Sequence, residues 1–228
     1  MVVNPNTTAE MTAAVVAAAR RAARPDTLVV GGTAASGVDS VESNADEVWG
    51  AAGVLDQVAA GPAVDAFVIA CFGDTGVAAA RELATVPVVG MTEAALLTAA
   101  LLGARTAVIT LPRRTREMSL RVVRALGQEH RCSVRAVDVP VAQVAGGSRH
   151  LLDLFVAEGR SALDDGAEVL VLGCAGLADL VEPLQDALGV PVVEGVAAAV
   201  TMAEGLLAQG LSTSRACTYA PPPRRGPR

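Results

Sequence analysis

One strand–turn–helix–strand unit occurs twice in this chain of 228 residues, and the repeat limits the folds open to it. Asp65-Ala66-Phe67-Val68-Ile69-Ala70-Cys71 returns as Glu168-Val169-Leu170-Val171-Leu172-Gly173-Cys174. Each run ends in a turn of small residues, Cys71-Phe72-Gly73-Asp74 or Cys174-Ala175-Gly176-Leu177. Each then passes through a helical stretch to Val86-Pro87-Val88-Val89-Gly90 or Val190-Pro191-Val192-Val193-Glu194-Gly195. The offsets are 103 residues for Cys71 and Cys174, 104 for Pro87 and Pro191, and 105 for Gly90 and Gly195. Spacing that steady predicts two similar lobes of about 100 residues each, the size of a small domain.

The rest of the chain alternates in the same way. Strands are predicted at Met1–Asn4, Thr27–Gly31, Ala66–Cys71, Val86–Gly90, Thr106–Thr110, Val134–Val139, Val169–Gly173 and Val190–Val193. Amphipathic or alanine-rich helices are predicted at Thr8–Arg24, Ala45–Ala60, Gly76–Ala84, Glu93–Leu102, Arg114–Gln128, Leu151–Asp165, Leu177–Leu188 and Val196–Gln209. Continuous Val, Ile and Leu strands between such helices predict an α/β fold, with a parallel sheet in each lobe covered on both faces. The first lobe is expected to hold residues 1–98 and 205–228, and the second 99–204, with the crossover near Ala99–Arg105. The Pro- and Arg-rich tail Ala220–Arg228 reads as disordered. Ligands of open α/β sheets bind outside the carboxyl ends of the strands. If the lobes face each other, Cys71 and Cys174 line opposite walls of one cleft.

Composition removes several kinds of chemistry. Apolar residues make up 52% and charged residues 18%, enough for a sizeable core. All 18 basic residues are arginine, which excludes a pyridoxal-phosphate Schiff base, lysine aldol chemistry and a Walker A lysine. A formal charge of −6 with 2% aromatics argues against a nucleic-acid partner. Asn4 and Pro5 follow only two valines, so no signal-peptide core is seen. The apolar stretch Ala94–Ala104 is broken by Thr98 and falls short of the roughly 20 residues a membrane span needs. A soluble, cytoplasmic chain with no membrane partner is expected. Its four cysteines, Cys71, Cys132, Cys174 and Cys217, are then free thiols. Their spacings match no zinc pattern, and His130 and His150 are the only histidines, so no metal and no cofactor are expected. A homo-oligomer is expected, although no residue pattern sets its size.

Two facing cysteines suggest paired acid–base chemistry. In a strand-to-helix turn, the helix dipole and free amides are expected to lower the thiol pKa. Gly73 and Gly176 leave backbone N–H groups free in this reading, suited to a developing oxyanion, and Thr75 adds a hydroxyl. One thiolate would take a proton from a carbon α to a carbonyl, and the other thiol would return one to the opposite face. Neither cysteine has a histidine nearby in sequence, which disfavours a Cys–His hydrolase. Cys132 and Cys217 lie outside the repeat and read as small apolar residues.

These motifs resemble the Asp/Glu/hydantoin racemase superfamily, most closely its hydantoin and allantoin racemases. Val3-Asn4-Pro5-Asn6-Thr7-Thr8 resembles the family opening INPNT(S/T), and Ser40-Val41-Glu42 with Asp46-Glu47 its S-I-E…D-E loop. Cys71-Phe72-Gly73-Asp74-Thr75-Gly76 resembles CFGDPG, and Pro87-Val88-Val89-Gly90 with Glu93-Ala94-Ala95 resembles PVVG…EAA. Leu111-Pro112-Arg113, Leu172-Gly173-Cys174-Ala175-Gly176, Pro191-Val192-Val193-Glu194-Gly195-Val196 and Thr213-Ser214-Arg215 are similar to LPR, LGCAGM, PVIDGV and TSK. The resemblance implies Cys71 and Cys174 as catalytic acid/bases. It implies substrate contacts from Asn6, Val41, Gly73, Asp74, Thr75, Ala175 and Gly176. Thr75 stands where the family has proline, Glu194 where it has aspartate, and Leu177 where it has methionine. The first strand is short, which leaves open a natural start upstream of Met1.

A cofactor-independent racemase of 5-substituted hydantoins is the leading expectation, with allantoin as the alternative substrate. A racemase of free aspartate or glutamate would need several cationic or hydroxyl groups at the α-carboxylate, and no arginine near either cysteine motif fills that role apart from Arg81 on a helix. Maleate isomerases and arylmalonate decarboxylases share the turns, but such a decarboxylase needs only one of the cysteines. A non-catalytic small-molecule binder and a dithiol redox protein remain as other classes. The redox protein would need Cα atoms within about 7 Å. Glu93 and Glu194 read as helix caps more readily than cleft residues, Trp49 as core or interface, and Arg113, Arg114 and Arg116 as a solvated face.

Overall fold

Thr106–Thr110 and Val169–Gly173 contain no charged residue and are buried at every position, which only a strand covered on both faces allows. They form the centre of one of two four-stranded parallel sheets. The computed structural model describes residues 1–141, 144 and 149–223. The first sheet comprises β1 (Val2–Asn4), β2 (Gly31–Thr33), β3 (Phe67–Ile69) and β4 (Val88–Gly90), in the order β2-β1-β3-β4. The second comprises β5 (Thr106–Thr110), β6 (Cys132–Ala136), β7 (Val169–Gly173) and β8 (Val192–Glu194), in the order β6-β5-β7-β8. Each sheet thus runs second–first–third–fourth, and the repeat seen in the sequence is a repeat of topology.

The helices are α1 (Ala9–Ala22), α2 (Asn44–Ala60), α3 (Val77–Leu83), α4 (Met91–Leu102), α5 (Arg116–Ala125), α6 (Arg149–Asp164), α7 (Val181–Leu188) and α8 (Gly195–Ala208). The strand-following helices α4 and α8 pack on each other, and Ala94, Ala95, Ala99, Ala198, Ala199 and Ala203 share one buried cluster. Small side chains let the two backbones come close. A Cβ on Gly195 would lie 2.7 Å from the Met91 carbonyl oxygen. Helix α8 also packs on α1, β3 and β4, and Glu204 Oε1 accepts from the Arg24 amide (2.9 Å) and the Thr27 hydroxyl (2.6 Å). The boundary drawn at residues 98/99 falls within α4.

Several boundaries differ from the sequence reading, and three of them have a plain physical reason. Strand β2 begins at Gly31, not Thr27, because its register sets Val2 opposite Gly31 and leaves Thr27–Val29 beyond the paired part of β1. Strand β6 is Cys132–Ala136 rather than Val134–Val139, because it matches the five residues of β5 from Thr106↔Cys132 to Thr110↔Ala136. The helix expected over Leu177–Leu188 is a 3₁₀ segment, Ala175–Leu180, followed by α7. Pro183 has no N–H to give residue 179 and its ring crowds that carbonyl, so the α-helix can start only just before it. Of the tail, residues 224–228 lie outside the described residues.

Candidate active site

The turns after β3 and β7 bring Cys71 and Cys174 to one cleft between the sheets. Both cysteines line it, with Asn6 from the turn after β1, Val41 from the loop before α2, and Ala175. Pro5, Met11, Phe72, Leu111 and Val141 supply an apolar wall. Among the described residues, none that lines the cleft carries a charge. All four cysteines are free thiols, with Cys71 and Cys174 half-buried, Cys132 buried in β6 and Cys217 exposed. Cys217 therefore does not fill a core position.

Asn6 is held by a knot of amides. Its Oδ1 accepts from Asn4 Nδ2 at 2.8 Å and from the Thr8 amide at 3.0 Å. Asn4 Nδ2 in turn reaches Thr12 Oγ1 at 3.0 Å. With Oδ1 so engaged, Nδ2 is the end of Asn6 left to donate. Of the two cleft hydroxyls, Thr110 donates to the Gly173 carbonyl (3.0 Å), and Thr115 to the Pro112 carbonyl (2.9 Å).

Burial governs the thiols. It pushes Cys71 up to about 12; the Thr75 hydroxyl pulls it back, while Cys174, Asp74 and Glu47 push the same way as burial. It pushes Cys174 up to about 11, against the pull of the Gly176 and Ala175 amides and with the push of Glu194 and Glu42. The expectation that the helix dipole leaves these thiols acidic is overturned. Helix α3 starts six residues after Cys71 and spans only seven residues, too far and too short to outweigh desolvation.

Other expectations also change. The Gly73 amide is not free: it donates to Thr92 Oγ1 at 2.8 Å. Asp74 turns away from the cleft, and its carboxylate accepts from the Thr92 (2.8 Å) and Glu93 (2.9 Å) amides at the start of α4. Burial, and then the nearby Glu93 charge, raise the Asp74 carboxyl to about 6. Replacing Asp74 with alanine strips two partly buried amides of their acceptor and should cost about 1 kcal/mol, the usual size of a lost cap. Asp74→Asn keeps an acceptor and should cost less; denaturant midpoints of the two variants compare them. Thr75 is buried, with its hydroxyl donated to Cys71 Sγ at 3.3 Å. Ala175 lines the cleft, and Gly176 follows it in the 3₁₀ segment.

Glu93 and Glu194 serve as caps: Glu93 Oε1 accepts from the Gly90 amide at 3.0 Å, and Glu194 from the Val196 (2.7 Å) and Ala197 (2.8 Å) amides. Arg81 is occupied outside the cleft, with Glu93, the Val88 carbonyl and the Tyr219 ring. Arg113, Arg114 and Arg116 are exposed, as are His130 and His150. Trp49 is 61% exposed on α2, so it is not a core residue. Met11, Leu111 and Val141 line the cleft without having been assigned to it from the sequence, because apolar side chains carry no local sign of facing a cleft. Among the described residues no three His, Cys, Asp or Glu side chains gather as a metal site, and no helix is long and apolar enough to cross a membrane.

The same architecture and motifs occur in known proteins. Residues 1–203 match the family described as Asp/Glu/Hydantoin racemase. The chain belongs to the Asp/Glu/hydantoin racemase family. It is 42% identical over 224 residues to a hydantoin racemase of Rhizobium meliloti, covering 96% of this chain and 93% of that one. It is 39% identical over 228 residues to a hydantoin racemase of Pseudomonas sp. (strain NS671), covering 98% and 92%. A solved allantoin racemase from Klebsiella pneumoniae superposes with a TM-score of 0.96 at 40% identity, over 100% of this chain and 94% of that one. Two parallel four-stranded sheets flanked by helices are therefore the family's fold in this chain.

Proposed function

We propose that this chain is a cofactor-independent isomerase that racemises 5-substituted hydantoins, with Cys71 and Cys174 as the two acid/bases. The observation that carries the reading is a thiol on each wall of one cleft whose described lining bears no charge. A neutral ring suits such a lining, whereas a free amino acid would bring an α-carboxylate with no cation to meet it. The hydantoin carbon beside the carbonyl is more acidic than the α-carbon of a free amino acid, so thiol bases suffice. One thiolate removes that proton; the opposite thiol delivers its own to the other face and becomes the next thiolate. Asn6 Nδ2 and the Ala175 and Gly176 amides are the donors assigned to the enolate oxygen, and Val41 packs on the ring or its substituent. The apolar wall of Met11, Phe72, Leu111 and Val141 favours an alkyl or aryl substituent over the polar ureido arm of allantoin.

Polarimetry of single enantiomers of several hydantoins and of allantoin, with EDTA present and the enzyme-free rate subtracted, tests the proposal. Loss of optical rotation with alkyl or aryl hydantoins is the expected result. Faster turnover of allantoin would move the substrate assignment, and activity abolished by EDTA would sink the metal-free mechanism.

Both thiols are protonated at neutral pH, so the reactive form with one thiolate is scarce there. kcat/KM should rise with a slope near one in its logarithm per pH unit from neutrality upward for as long as the hydantoin imide stays protonated, because both thiols titrate higher still. Stability follows the opposite course. The folded thiols titrate above their ordinary value of 9.0, so above that pH the unfolded chain has lost protons that the fold retains. The stability contributed by the neutral thiols is full below pH 9.0 and is lost between there and about 12. Rate profiles and urea midpoints across the alkaline range would show the two trends crossing; a flat rate profile from neutrality upward would contradict the thiol assignment.

A further inference from the structure

The two thiols are supported by different kinds of donor. At Cys174 the stabilising donors are backbone amides, Gly176 and Ala175, which no substitution of their side chains removes. At Cys71 the amide that corresponds to Gly176 is spent, because the Gly73 amide donates to Thr92 Oγ1 at 2.8 Å. The donor that does reach Cys71 Sγ is a side chain. Thr75 is 3% exposed, and its hydroxyl donates to Cys71 Sγ at 3.3 Å. Thr75 Oγ1 has no other partner among the described residues. This is also the position where the sequence departs from the proline of the family motif, and proline has no group to offer there.

We infer that Thr75 is a positioning residue that holds the Cys71 thiolate for proton abstraction, a role this chain gives to a side chain in place of a backbone amide. The inference rests on the two-cysteine reading above. In the step concerned, the substrate proton moves to Cys71 Sγ and the electron pair of the C–H bond passes into the enolate. Thr75 keeps its own proton and supplies only the hydrogen bond that the thiolate needs before the transfer. The other groups whose charge reaches Cys71, namely Cys174, Asp74 and Glu47, all disfavour its thiolate, so none of them substitutes for the hydroxyl.

Thr75→Val keeps the shape and removes the donor; Thr75→Ser keeps the donor; Thr75→Ala serves in place of the valine variant if that one does not fold. The first readout is independent of activity. Iodoacetamide alkylation of Cys71 and Cys174 is followed peptide by peptide by mass spectrometry at a fixed pH below 9.0, where the fold keeps its full stability. Thr75→Val should slow alkylation of Cys71 about tenfold, leave that of Cys174 unchanged, and the serine variant should restore it. The second readout is racemisation of one 5-alkylhydantoin. The equilibrium constant between enantiomers is one, so kcat/KM for both should fall together, by roughly 10–100-fold, the worth of one hydrogen bond to a charged group. A Cys71 alkylation rate unchanged in Thr75→Val, or a serine variant as impaired as the valine one, would overturn the role of Thr75 and leave the cysteine pair standing. A Cys71→Ser enzyme that racemised at the wild-type rate would overturn the two-cysteine reading itself.

Discussion

Serine at either Cys71 or Cys174 should abolish net racemisation, by roughly the 10²–10⁴-fold of a lost acid/base. A hydroxyl titrates several units above a thiol, so the replaced wall neither abstracts nor donates efficiently near neutral pH. Inversion needs both walls, and one working wall is not enough. The surviving thiolate still reaches one face of the carbon, so each variant should exchange the α-proton of one enantiomer with D₂O. Cys71→Ser and Cys174→Ser should choose opposite enantiomers. NMR exchange with each enantiomer and each variant, corrected for spontaneous exchange, is the measurement. If both variants exchanged the same enantiomer, a single-base mechanism would replace the paired one. The two thiols share one cleft, and each disfavours ionisation of the other, which is why one thiolate and one thiol make the reactive state.

Alanine at Gly173 should damage both the fold and the reaction. Gly173 stands opposite Thr110 in the β5–β7 register, immediately before Cys174. A Cβ there would lie 2.7 Å from Thr110 Cα and 3.0 Å from the Ile109 carbonyl oxygen. Both are backbone atoms of a central strand buried at every position, so neither can rotate away. The end of β7 must lift, carrying Cys174 with it. Overpacking of this kind costs about 1–3 kcal/mol. A displacement near 1 Å at a reacting group costs on the order of 10²-fold in rate. Gly205 is the control: it lies within α8, where a Cβ would meet nothing, and alanine should gain about 0.5–1 kcal/mol with no change in rate. Guanidinium midpoints and racemisation rates of the two variants separate the cases. Wild-type stability and rate in Gly173→Ala would show that the close approach of β5 and β7 is not what demands glycine.

Much of this protein is legible in its residues because the relevant signals are local. Unbroken runs such as Val169-Leu170-Val171-Leu172 need cover on both faces wherever they occur, and that alone points to parallel sheets under helices. The repeat of about a hundred residues, with a cysteine closing the same strand in each copy, points to two lobes and to thiols at the carboxyl ends of strands. The capping roles of Glu93 and Glu194 follow equally from a carboxylate placed at a helix start. What the chain does across long separations had to come from the tertiary structure. The Gly73 amide is claimed by Thr92, 19 residues on, and Asp74 caps α4 instead of facing the cleft. Strand β2 begins where β1 offers a partner, not where its own valines begin. The thiols are raised rather than lowered because desolvation is set by everything packed around a group, whereas a short following helix acts only over its first turn. Pattern and propensity belong to the sequence alone; burial, register and the choice among competing hydrogen-bond partners belong to the fold, because each depends on atoms that only packing brings together.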